Sequence, residues 1–414
     1  MTLAISFGIW YSFSVFFLAI VNEFGWSRAA TGGVHSIFMV VHSFVAILIG
    51  SLHDRFGPRR VIPFGSVFIV IGLLGTIQIK ALWQLYLFYG LVTAIGICSI
   101  GDISHYIFLP NWFLKKRGLA IGISMAGTGV GMAVLVPIIQ HIISHLGWRA
   151  AYCTLAVIVL AVVIPLNSIF QRKNPEEVGE LPDGNKKPIG SQEALKKNPE
   201  QTFRIELIPR DWTLGNALRT SRFWFLFFIF FFTAMVFQGT LIHQVAHVVN
   251  KGFSAEIGAF FLGLAGIIGS AGRIFFGYLS DKLGRERAFS IGVGCAFFGI
   301  LSIIALRPGY GSLLYGYAIL FGLGYGSIPT ILASRTADLF QGTQFGKIFG
   351  FLAIAIGLGG ATGSWLSGKI FDLFASYLIA FLIILSALIL MVALFLLTSP
   401  AQRGTRSEHI KRST

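Results

Sequence analysis

Gly50-Ser51-Leu52-His53-Asp54-Arg55-Phe56-Gly57-Pro58-Arg59-Arg60 separates two long apolar runs, and it returns as Gly277-Tyr278-Leu279-Ser280-Asp281-Lys282-Leu283-Gly284-Arg285-Glu286-Arg287. Glycine, leucine, aspartate, a basic residue, glycine and a final arginine recur at one offset of 227 residues. Each type has a physical task at the edge of a membrane. Gly50 lets a helix end approach its neighbour closely, and Gly57-Pro58 makes a tight turn. Asp54 can serve the amide end of a nearby helix, while the arginines hold the loop on the cytoplasmic side.

The composition around this loop excludes a soluble chain. Of 414 residues, 55% are hydrophobic and only 12% charged, with a mean hydropathy of +0.77. The 40 Phe and 49 Gly suit helices packed against lipid and against each other. A net charge of +15 could point to nucleic acid, but the basic residues lie in short loops between apolar runs. No nucleic-acid partner is therefore expected. Cys98, Cys153 and Cys295 all fall inside apolar segments, with neither disulfide nor metal spacing, and no cofactor is implied. Residues 3–21 run on without a small-residue cleavage site and read as a first span, not a cleaved leader.

Windows of about 20 apolar residues cross roughly 30 Å of hydrocarbon. They occur near 3–21, 31–52, 61–79, 82–110, 118–143, 150–170, 223–248, 255–279, 288–306, 311–334, 346–371 and 376–398. The expected architecture is an all-α membrane protein of twelve transmembrane helices. Its parts are a six-helix bundle over 1–170, a linker over 171–220, a second bundle over 221–398 and a tail over 399–414. Alternate loops, the linker and the tail collect 25 Lys and Arg, against six in the other loops. By the positive-inside rule both termini and the linker are cytoplasmic, in a multi-pass protein of the inner membrane.

The repeat extends beyond the loop. Gly118 and Gly122 match Gly346 and Gly350 at an offset of 228, and Gly96 matches Gly324. Two copies in register resemble the signature loop of the major facilitator superfamily. That resemblance implies two pseudo-repeated bundles with a site between them near mid-depth. It also implies that Gly50, Asp54, Arg55, Gly57, Arg60, Gly277, Asp281, Gly284 and Arg287 govern conformational switching. Four further stretches narrow it: Phe24-Gly25-Trp26-Ser27-Arg28, Asn111-Trp112-Phe113-Leu114-Lys115-Lys116-Arg117-Gly118-Leu119-Ala120, Gly147-Trp148-Arg149 and Arg172-Lys173-Asn174-Pro175-Glu176-Glu177. Together they are similar to the monocarboxylate-porter and oxalate/formate-exchanger branch.

Arg273 is the one basic residue well inside a span, eight residues before Asp281 and so roughly 12 Å from the cytoplasmic edge. Burying it costs on the order of 2.5–3.5 kcal/mol, so a partner or a water-filled cavity is expected. A guanidinium matches a carboxylate as a fork, and in the resembled branch an arginine here binds the substrate carboxylate. The competing role is a fixed ion pair with Asp102. His243 lies about 12 Å from the outer edge, eight residues before Lys251. In the branch a histidine nine residues before Gly252-Phe253-Ser254 faces substrate; a hydrogen bond between helices is the alternative. Tyr11, Tyr325 and Gln244 are added as polar contacts from depth alone. Asp102, the acidic residue well within a span, and His42 are the proton-coupling candidates, each with a structural alternative.

The glycines Gly127, Gly129 and Gly131 with Pro137, and their counterparts Gly357, Gly359, Gly360 and Gly363, permit close helix contact. They precede no strand, so nucleotide binding is not implied. Two departures from the branch matter. The animal-type porters carry a lysine in span 1 and an aspartate one turn before the span 8 arginine. Here span 1 has no charge before Glu23, and position 269 is Gly. The oxalate type adds a lysine within span 11, whereas Lys347 and Lys369 sit at its ends. One buried cation favours a monoanion over a dianion. The reading is a secondary transporter of a small monocarboxylate working by alternating access, coupled to protons or a second anion, sufficient as a monomer in the lipid bilayer. Proton-driven export of amphipathic compounds and a non-transporting membrane sensor are the alternatives. No loop holds a nucleophile–base pair, so an enzyme is not expected.

Overall fold

A computed structural model describes residues 1–112, 117–180, 212–340 and 345–398. Most of the expected linker (181–211) and the whole tail (399–414) lie outside these described residues, as do Lys115, Lys116 and the Asp54 side chain.

Among the described residues twelve helices correspond to the expected spans. They are α1 (Thr2–Phe24), α2 (Arg28–Phe56), α3 (Pro58–Ile77), α4 (82–112), α5 (117–146), α6 (148–170), α7 (Ser221–Asn250), α8 (Ala255–Leu283), α9 (Arg285–Ile304), α10 (Ser312–Phe340), α11 (Phe345–Phe374) and α12 (Leu378–Leu397). Eleven stretches among the described residues are long and apolar enough to span, and the longest runs over Ile123–Phe170. Its 48 residues would make a rod of roughly 72 Å, more than twice the hydrocarbon thickness. It is two helices, because Gly147 stands at φ 81°, ψ 162° and turns the chain between α5 and α6. The fourth helix restarts as well: Gly101 is extended at φ −80°, ψ −155°, and Asp102 opens the following segment, Asp102–Trp112.

The sequence repeat is written into the backbone. Gly57 (φ 73°, ψ 166°) and Gly284 (φ 88°, ψ 154°) hold the same turn, in a region essentially reserved for glycine. Gly25 and Gly252 are both left-handed at φ 66° and 88°, and Gly147 corresponds to Ala375 at φ 50°. These paired turns carry the same 227–228-residue register as the spans. Within each half, one glycine lets two helices touch at backbone distance. A Cβ on Gly131 would lie 2.1 Å from the Ala4 carbonyl, and one on Gly359 would lie 1.9 Å from the Phe231 carbonyl. The pairs α5–α1 and α11–α7 are equivalent under the repeat.

The two halves meet along a seam. Helix α2 packs on α11, α5 packs on α8, and α1 approaches α7. The first two contacts are related to one another by the pseudo-symmetry, since α2 corresponds to α8 and α5 to α11. This places α1, α7 and α10 around the middle of the molecule, where the candidate residues lie.

Candidate functional site

Near mid-depth, three of the expected residues come together from both halves. The Tyr11 hydroxyl on α1 and the Tyr325 hydroxyl on α10 are 2.6 Å apart, both side chains being buried. The guanidinium of Arg273, on α8, stands 5.5 Å from the Tyr325 ring centre. One of its N–H groups donates to the Met125 carbonyl of α5, across the seam, at 3.2 Å. Among the described residues neither Arg273 nor Asp102 takes part in an ion pair. A neutral carbonyl satisfies one donor but leaves the charge uncompensated, and a guanidinium has five donors in its fork. The aromatic wall continues through Phe237, T-shaped against Tyr325 at 5.0 Å, and Phe7, stacked on Tyr11 at 6.2 Å. The arrangement can grip one planar anion through the fork and enclose a small apolar remainder in rings.

The proton-coupling candidates sit on the N-terminal half beside this group. The His42 ring lies 4.9 Å from Trp10, edge to face, and its Nε2 is buried with no hydrogen-bond partner among the described residues. The Asp102 carboxylate acts electrostatically on His42 and on the Tyr11 hydroxyl, as does the Arg273 charge on Tyr11. Asp102 begins its helical segment, a place where the helix dipole favours an anion. Trp10, which carries the His42 contact, directly precedes Tyr11 on α1, so His42 and the Arg273 group flank neighbouring residues.

His243 and Gln244 are placed differently. Both ring nitrogens of His243 are engaged between helices, Nδ1 with the Tyr377 hydroxyl at 3.1 Å and Nε2 with the Ser364 carbonyl at 2.8 Å. Gln244 donates to the Gly258 carbonyl of α8 at 3.1 Å. Neither contact involves the Arg273 group. His243 instead belongs to a chain that closes the seam at the face opposite the termini. Tyr377 accepts from Arg28 at 2.6 Å, and the Ser364 hydroxyl donates to the Gly32 carbonyl at 3.0 Å.

That closed face contains the residues the sequence reading missed. The Asp372 carboxylate, at the end of α11, accepts from the backbone N–H of Arg28 at 2.8 Å and of Ala29 at 2.6 Å. It caps the amino end of α2 from the other half, where a carboxylate meets both free amides and the positive end of the helix dipole. The Arg28 side chain reaches Asn250 at 3.3 Å and lies 3.6 Å above the Phe371 ring centre. On the other side of the seam the Ser144 hydroxyl of α5 donates to Glu256 of α8. Adding 228 to Arg28 gives Glu256, and subtracting 228 from Asp372 gives Ser144. The two latches are one contact, repeated by the pseudo-symmetry with different chemistry. Repeat arithmetic could have found them.

At the basic face the second signature loop is knit into a charge network. Arg285 pairs with Asp281 at 2.6 Å and with Asp338 at 3.2 Å, while Arg335 pairs with Glu286 at 3.1 Å and donates to the Thr398 hydroxyl at 3.2 Å. The ends of α8, α9, α10 and α12 are thereby tied together. Arg287 is exposed, and in the first loop Arg55 lies 5.1 Å above the Phe56 ring while Arg60 is exposed. A Cβ at Gly277 would meet Thr330 at an ordinary 3.7 Å, so space does not require glycine there, whereas Gly284 is required by its φ of 88°.

Comparison with known proteins identifies the family. The family model described as Major Facilitator Superfamily matches residues 1–334. The uncharacterized MFS-type transporter YcxA of Bacillus subtilis (strain 168) is 28% identical, over 89% of this chain and 85% of its own. Monocarboxylate transporter 13 of Bos taurus is 26% identical over 92% and 83%. The oxalate:formate antiporter of Oxalobacter formigenes is 25% identical over 86% and 80%. Among solved structures a point mutant of the nucleoside transporter NupG superposes with a TM-score of 0.73 at 13% identity, covering 96% of this chain and 98% of that one. That likeness concerns the fold. With twelve helices in two pseudo-repeats and a family match over most of its length, the chain belongs to the Major Facilitator Superfamily, a family of membrane transporters and not of enzymes.

Proposed function

We propose that this transporter moves a small monocarboxylate by alternating access, with Arg273 as the anion anchor and Tyr325 and Tyr11 completing the site. The observation that carries the reading is a guanidinium within the helix bundle that, among the described residues, has a carbonyl and a ring for neighbours and no carboxylate. Relatives named for monocarboxylate and for oxalate:formate transport support an organic anion as cargo. The single cation favours a monoanion. Asp102 and His42 are the groups that would carry a coupled proton, if protons rather than a second anion supply the driving force. His243 and Gln244 then act from the closed face, holding α7 against α11, α12 and α8 while cargo is enclosed. The signature-loop residues Gly50, Asp54, Arg55, Gly57, Arg60, Gly277, Asp281, Gly284 and Arg287 lie at helix ends and are assigned to switching.

Uptake of labelled lactate, pyruvate, formate and oxalate into vesicles, under a proton gradient or with an internal counter-anion, tests the reading. One or more monoanions should accumulate faster than oxalate. Asp102→Asn should remove the proton-driven mode alone, and Asp54→Asn should slow transport while leaving equilibrium binding intact. Accumulation of none of the four acids under either gradient would sink the carboxylate assignment.

We also infer that the protein lies in the inner membrane as a monomer with both termini and the linker in the cytoplasm, from the 25-to-6 basic asymmetry. The latched face would then be external. A cysteine at Lys251 should react with an impermeant thiol reagent added outside intact cells, and one at Lys187 should not. The opposite labelling would invert the orientation.

A further inference from the structure

We propose that His141, His145 and Glu256 form a site for a divalent transition-metal ion of the zinc class, which pins the α5–α8 latch closed. The two histidines stand one helical turn apart at the end of α5, both exposed, with ring centres 4.3 Å from each other. Histidines at i and i+4 on one face are the spacing that offers two imidazole nitrogens to one ion. Tetrahedral zinc with Zn–N of about 2.0–2.1 Å needs those nitrogens roughly 3.3 Å apart, a spacing that imidazoles one helical turn apart reach by side-chain rotation. The residues between them and the break at Gly147 are the last turn of α5, so the free carbonyl end of that helix adds negative potential beside the ion.

A second observation directs the site across the seam. Glu256 opens α8 in the other half, and His145 lies within its electrostatic reach. Its carboxylate is bonded to Ser144, the residue immediately before His145, and Ser144 accepts in turn from Gln140 at 3.1 Å. The repeat explains why a cation fits. At the equivalent latch Asp372 accepts from two backbone amides across the seam, whereas here Glu256 meets one hydroxyl across the seam, its other partners, Ser254 and its own amide, lying at the start of α8. The pseudo-symmetry mate of His141 is Lys369, a fixed cation. A metal ion on the histidines would supply the positive charge that this side of the seam lacks. Among the described residues no three ligating side chains already surround a common point. The site needs the two histidines, with water in the open positions, and Glu256 exchanging its hydroxyl partner for the ion.

The test uses the full-length chain in detergent, purified through a tag without histidine, and zinc chloride as the probe. Titration calorimetry should show one zinc per chain, weakened about tenfold or more by His141→Ala or His145→Ala and lost in the double variant. Zinc should raise the melting temperature of the native chain and leave that of the double variant unchanged. Glu256→Gln should weaken zinc about tenfold and shrink the thermal shift in step, because the ion then rests on α5 alone. Equal binding by the native chain and the double variant would overturn the site. A zinc affinity and thermal shift left unchanged by Glu256→Gln would overturn the pinning of the latch. Calorimetry and melting follow no cargo, so either result is independent of the monocarboxylate reading.

Discussion

Arg273→Gln should abolish carboxylate binding while the protein still folds and enters the membrane. Glutamine keeps most of the reach of arginine but removes the charge and the paired N–H fork that a carboxylate would meet. Truncating one partner of a desolvated, hydrogen-bonded charge pair costs roughly 2–5 kcal/mol. That corresponds to a loss of about 30-fold to several thousand-fold in affinity. Folding should suffer little, since the side chain's described contacts are one carbonyl bond to Met125 and a ring face on Tyr325. Arg273→Lys keeps the charge as a point and loses the fork, so it should bind weakly and retain some transport. Asp102→Asn provides the decisive comparison. Were the arginine only the partner of that carboxylate, neutralising both would restore what either single change removed. No such pair exists among the described residues. The double variant should stay as inactive as Arg273→Gln, measured by equilibrium binding of the best acid from the uptake panel. Restored binding would reassign Arg273 to structure.

The tyrosines beside it illustrate what the sequence could deliver. In long apolar helices residue number translates into depth at about 1.5 Å per residue. Tyr11, Tyr325 and Arg273 could thus be set at compatible heights from counting alone, and they meet. The same arithmetic gave Gln244 and His243 similar depths, but depth carries no azimuth. Gln244 turns to α8, and His243 turns to Tyr377, 134 residues away, a partner no local pattern announces. The twelve spans were legible because hydrophobicity alone selects them, the break between 118–143 and 150–170 included; the structure adds the backbone angles of Gly147 that make the turn there. Asp372 was missed for a physical reason. Read locally, it is a charge at a span end, where charges are common. It becomes a helix cap only when α2 of the other half arrives.

That conditional bond makes Asp372 the residue whose loss should most change the balance between states. Asp372→Ala removes both acceptors from the amides of Arg28 and Ala29, and these amides belong to the other half. The bonds exist only while the latched face is shut, so their loss destabilises that state and leaves an open state untouched. Hydrogen bonds to a charged group contribute about 1.5–3 kcal/mol net. Even one such bond shifts a two-state balance by roughly 10- to 150-fold. Ser36 reports on it, because its half-buried hydroxyl donates across the seam to the Ala361 carbonyl at 2.7 Å in the closed state. With Cys98, Cys153 and Cys295 replaced by serine, a cysteine at Ser36 should be labelled from the Lys251 face at least about tenfold faster once Asp372→Ala is added. Asp372→Asn should fall between, keeping one acceptor without the charge. Glu256→Gln should have a smaller effect than Asp372→Ala, since an amide oxygen can still accept from the Ser144 hydroxyl. Labelling that does not respond to Asp372→Ala would mean the α2–α11 contact is held by packing, with the cap incidental. The bonds point the other way: Ala29 is buried, and without Asp372 its amide at the start of α2 has no intrahelical acceptor, so it is better served once the seam opens to water.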